Sequence, residues 1–74
     1  MNYTEKYVEI LPGDYILSGE NDFVEAKEKA DEKSETIFKI KSGKKVKVIE
    51  ANENYAKINI SEEVYVPNGN LKKA

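Results

Sequence analysis

The chain has 74 residues, 39% apolar and 35% charged, with a formal net charge of −2. A chain this short buries only about 60% of the surface its unfolded form exposes, so it holds one core layer and no deep catalytic cleft. It has no Cys and no His, and all twelve of its basic residues are Lys. This excludes disulfides, zinc–thiolate sites, a thiol nucleophile, an imidazole base and bidentate guanidinium recognition.

In chain order, Met1 to Lys6 lacks the charged and apolar stretches of a secretory signal, and the expected location is the cytoplasm. No apolar run approaches the roughly 18 residues of a membrane span. Lys6 to Ile10 reads as a strand stopped by Leu11-Pro12-Gly13-Asp14, where Pro pre-sets φ and Gly is free to take φ > 0. Tyr15 to Leu17 resumes an extended run, and Ser18 to Asp22 reads as a turn.

Residues 25–35, EAKEKADEKSE, consist almost wholly of helix formers. Only Ala26 and Ala30 are apolar, so a helix here has no stripe to bury. The segment reads as a long charged loop, with a helical turn as the alternative.

From Thr36 onward the signal sharpens. TIFKIK, VKVIEA, YAKINI and VYV are short β-rich runs separated by SGKK, NEN and SEE. Val46 and Val48 alternate with Lys45 and Lys47, and Ile58 and Ile60 with Lys57 and Asn59, the period of half-buried strands. Connections this short predict antiparallel hairpins between neighbours. Five or six short antiparallel strands in one domain over 1–74 predict an all-β fold, a small barrel. Charge is uneven: residues 1–38 carry ten acids and four lysines, and residues 39–74 carry four acids and eight lysines. Such asymmetry can steer a partner.

Residues 36–71 resemble the C-terminal two-thirds of a bacterial SH3 (SH3b) domain. The likeness lies in the strand Ile37 to Ile40, the turn Ser42-Gly43-Lys44, Val46-Lys47-Val48, and the turn Asn52 to Asn54. It continues through Tyr55 to Ile58, Val64-Tyr65-Val66 and Leu71-Lys72. Asp22-Phe23-Val24 stands where the family has its first strand, with the loop 25–35 after it. Tyr55 and Tyr65 occupy the usual Trp positions. The resemblance implies an SH3-like barrel with its core at 19–71 and residues 1–18 as an extra N-terminal strand or lead-in. Pro67 matches the proline that lines the peptide groove of eukaryotic SH3 domains, although the tyrosine that should follow is Asn70.

The expected partner-binding residues are Tyr7, Tyr15, Tyr55, Tyr65, Pro67, Lys41, Lys45 and Lys47. Tyrosine offers rigid amphipathic contact area, though β-propensity alone would also place these rings in a barrel wall. Lys39, Lys41, Lys44, Lys45 and Lys47 form a basic run that could line a phosphate backbone or an acidic protein, although a solvated strand face is the plainer reading. Neither catalytic residues nor cofactor or metal ligands are expected. The chain reads as a small intracellular bacterial or phage-encoded module that binds a protein partner, with inhibition of that partner as one outcome. A cell-wall peptide-binding module of an exported protein, and nucleic-acid binding through the lysine face, are the alternatives.

Overall fold

A computed structural model describes residues 10–19 and 22–74. Seven strands run in chain order: β1 (Gly13–Leu17), β2 (Phe23–Lys27), β3 (Thr36–Lys41), β4 (Lys45–Ala51), β5 (Tyr55–Asn59), β6 (Glu63–Pro67) and β7 (Leu71–Lys73). A single 3₁₀ turn, Asn68–Asn70, joins the last two. The domain is therefore all-β, as expected, with seven described strands rather than five or six. The expected strand at Lys6 to Ile10 lies almost wholly outside the described residues.

All seven strands belong to one antiparallel sheet in the order β3-β2-β6-β5-β4-β1-β7. Period-two patterning dictates which side is buried. Val24 and Ala26, Val46 and Val48, Ala56 and Ile58, and Val64 and Val66 all point inward, and their sequence neighbours point out. With Tyr15, Leu17, Ile40 and Leu71 they make one core. No helix among the described residues covers that face, and the buried side chains of all seven strands form a single cluster. Its two end strands, β3 and β7, are not hydrogen-bonded to each other.

Two features depart from the sequence reading, and a third goes beyond it. First, Glu25 to Lys27 belong to β2, so the charged loop spans 28–35 rather than 25–35, and it contains no helix. Burial of Val24 and Ala26 against the core outweighs helix propensity in a segment with no apolar stripe. The loop is held by its own polar groups: the Lys33 amide donates to Asp31 Oδ1 at 2.9 Å, and the Lys29 amide to Ser34 Oγ at 3.0 Å.

Second, β3 and β4 are sequence neighbours but do not pair. The Ser42-Gly43-Lys44 turn instead docks on the end of β1. The Gly43 amide donates to the Leu17 carbonyl at 2.7 Å, and the Leu17 amide to the Lys44 carbonyl at 2.9 Å. Gly43 has φ 98°, the region that favours glycine. The chain thus leaves β3, paired with β2, and starts β4, paired with β1 and β5.

Third, the segment read as an extra N-terminal strand or lead-in contains the strand β1. It lies inside the sheet between β4 and β7. Asn70 fastens its end: the Asn70 side-chain amide donates to the Ser18 carbonyl at 2.9 Å, and the Ser18 amide to the Asn70 carbonyl at 2.7 Å.

Candidate functional site

The outer face of the sheet gathers three of the expected contact residues. In the β5–β6 pair Tyr55 lies opposite Pro67, and Lys57 opposite Tyr65. Lys27 of β2 lies on the far side of Tyr65. This is the only register pair joining β2 to β6. Beyond it, towards Phe23, the two strands diverge.

The divergence opens a hollow of about 800 Å³, lined by Phe23, Glu25, Lys27, Lys39, Pro67 and Asn70 among others. Pro67 is a wall shared with a second hollow of about 420 Å³, bounded by Ala30, Asp31, Glu32, Asn54 and Tyr55. Tyr55 in turn separates that one from a third, of about 260 Å³, between Ala30, Glu50, Asn52, Lys57 and Tyr65. Three depressions therefore follow one another, divided by a proline and a tyrosine. Phe23, half exposed at 51%, stands at the open end.

Local hydrogen bonds fix the dividing residues. Asn52 closes the β4–β5 turn, its Oδ1 accepting from the amides of Asn54 and Tyr55, both at 2.8 Å. The Asn68 side-chain amide reaches the Asn52 carbonyl at 2.8 Å, and the Asn68 backbone amide reaches the Asn54 carbonyl at 2.9 Å. The stretch after Pro67 is thereby tied to the stretch before Tyr55. The loop is tied in too, because Lys27 Nζ donates to the carbonyls of Glu32 at 3.0 Å and Ser34 at 3.3 Å.

Electrostatics differ along the row. Burial, followed by the nearby carboxylates of Glu32 and Asp31, raises the Tyr55 phenol above its ordinary pKa of 10.0. The second hollow is therefore acidic. Lys57 is raised above 10.5, first by its hydrogen bond to Glu50 and then by Tyr65, Glu50 and Glu63, with burial opposing. Its ammonium lies 3.4 Å from Glu50, 3.7 Å from Glu63 and 5.8 Å from the Tyr65 ring centre. The third hollow is thus lined in part by a cation held between two carboxylates.

The other expected residues lie elsewhere. Tyr15 is a core residue, 5% exposed, and its hydroxyl accepts from the Leu11 amide at 3.1 Å. It presents nothing to a partner, because its position on β1 points inward. Tyr7 lies outside the described residues. Lys41 sits on β3 across from Phe23, whereas Lys45 and Lys47 face outward from β4. The basic run of the sequence is thus split between two regions of the sheet. Lys44, Lys45 and Lys47 line a separate hollow of about 430 Å³ with Asp14, Asn59 and Ile60. Lys45 is flanked across Ile16 by Lys72 of β7, a neighbour that no sequence spacing could reveal. None of these lysines forms an ion pair with a described residue.

Sequence reasoning also missed Phe23, Lys27 and Lys57 as site residues. Phe23 and Lys57 carried a readable signal, an aromatic and a lysine at outward positions of alternating strands. Among the described residues no His, Cys, Asp or Glu cluster suits a metal, and no helix is long and apolar enough to cross a membrane. Comparison with protein-family models, curated proteins and solved structures returns no match to this chain.

Proposed function

We propose that this domain is a non-catalytic protein-binding module with an SH3-like barrel architecture, made by a bacterium or a phage for use inside the cell. It seats an extended segment of a protein partner across the three hollows of the outer face. The observation that carries this reading is the row itself: successive depressions divided by Pro67 and Tyr55, with both ridges fixed by the Asn52 and Asn68 hydrogen bonds. Spaced pockets on a rigid scaffold suit alternate side chains of an extended peptide. The barrel assignment is supported by a single antiparallel sheet whose buried residues form one core drawn from all seven strands.

A photo-crosslinking residue in place of Tyr55 tests this. It should capture a defined protein from bacterial lysate, unlabelled wild type should compete, and the same group in place of Lys47 should capture nothing. Capture of wall peptide alone would move the domain to the cell surface. Capture only from position 47 would refute the placement.

A second reading has its own observation in the unpaired lysines around Lys45 and Lys47. It makes that face a contact for nucleic acid, and it requires affinity that falls steeply with salt as phosphate counterions are released.

A further inference from the structure

The strand β3 ends the sheet. It pairs with β2 along one side, and its other side faces no described strand. At six residues it is the longer of the two edges, β7 having three. An edge of this length carries a row of backbone donors and acceptors open to another chain.

Its side chains alternate clearly. Phe38 and Ile40 turn towards the core, while Ile37, Lys39 and Lys41 turn outward. Ile37 is 45% exposed. Lys39 and Lys41 make no ion pair with a described residue. Even Glu25, directly across from Lys39, is engaged elsewhere, accepting from the Thr36 hydroxyl at 3.0 Å.

We infer that β3 is a docking edge for an extended acidic segment of a partner protein, which adds to the sheet as an antiparallel strand. Charge complementarity selects the occupant. Opposite-charge pairs directly across a ladder stabilise it and like charges destabilise it. Read from its N-terminus, the incoming strand needs an acid opposite Lys41, a second acid two residues on opposite Lys39, and an apolar residue two further on opposite Ile37. The intervening residues meet the inner side at Ile40 and Phe38 and are apolar. A second copy of this chain fails the same test in the registers that overlap the two lysines. In the antiparallel register centred on Lys39, that residue opposes itself; in the register centred on Phe38, the two copies of Lys39 become diagonal neighbours.

This surface meets the Tyr55–Pro67 row at Lys39, which also lines the first hollow, so Tyr55→Ala, which leaves β3 untouched, is what separates the two readings. The probe is a blocked synthetic peptide, Glu-Val-Glu-Val-Ile-Thr, titrated into the intact 74-residue protein and followed by backbone amide NMR and hydrogen exchange. Expected are shifts confined to β2 and β3, new protection of alternate β3 amides, and unchanged binding in Tyr55→Ala. The double variant Lys39→Glu, Lys41→Glu, whose exposed positions leave the fold intact by circular dichroism, should weaken the peptide by about tenfold or more. It should in turn bind Lys-Val-Lys-Val-Ile-Thr. Shifts centred on Lys45 and Lys47, binding without β3 protection, absence of binding, or no exchange of preference in the charge-swapped pair would each overturn the proposal.

Discussion

Two positive-φ positions give opposite predictions from one argument. Ser61, in the short connection between β5 and β6, has φ 99°, and Gly43 has φ 98°. A side chain held in this region costs about 1–3 kcal/mol. Glycine avoids that cost but loses about 0.5–1 kcal/mol more backbone entropy on folding. Ser61→Gly therefore stabilises by about 0.5–2 kcal/mol. The Ser61 amide keeps its bond to Asn59 Oδ1 at 3.0 Å, so no contact confuses the result. Gly43→Ala destabilises by about the same amount for the converse reason. A Cβ at Gly43 meets nothing within 4 Å, which makes the penalty purely torsional. In a domain of this size about 1 kcal/mol moves Tm by roughly 4–8 °C. Urea unfolding followed by circular dichroism and tyrosine fluorescence should show opposite shifts in midpoint at constant m. A less stable Ser61→Gly, or an unchanged Gly43→Ala, would refute the reasoning.

Three further outcomes follow from the core, the site and its charges. Ile58 is fully buried, so Ile58→Ala should cost about 2–5 kcal/mol, a large share of the total for a small domain, read as a loss of Tm. Asn52→Ala removes the acceptor of two turn amides and should cost about 1 kcal/mol, with NMR shifts centred on Tyr55 and Asn68. Lys57 and Tyr55 both have raised pKa values in the folded protein, so the stability they contribute is complete below their unfolded values of 10.5 and 10.0. It is lost as pH rises through the folded values. Thermal unfolding across pH 9 to 12 should show a decline beginning near pH 10, smaller in the double variant Lys57→Met, Tyr55→Phe.

The strands after Thr36 were legible because one face is core and the other water, which writes the period of two into Val46, Val48 and Ile58. Residues 25–27 were not. Their charges and helix propensity hide a strand whose inward residues are only Val24 and Ala26. Pairing was less legible still. Whether the Ser42–Lys44 turn brings β4 back against β3 or carries it to β1 depends on Gly43 meeting Leu17, a contact between residues 26 apart in sequence. Half of the site was readable for the same reason. Tyr55, Tyr65 and Pro67 share one strand pair, and sequence alone proposes them. Phe23 and Lys27 join them only because β2 lies beside β6 and then splays away.

The pairing of β7 with β1 has a consequence for how the protein is made. Leu71, Lys72 and Lys73 meet Leu17, Ile16 and Tyr15 in register. On the ribosome, β1 emerges long before its second neighbour, at about 5–20 residues per second. Until β7 clears the exit tunnel, one side of β1 is bare and the core lacks Leu71. The pairings β2–β3 and β4–β5–β6 need nothing from β7, but the sheet is completed only once residues 71–73 are free to pair with β1.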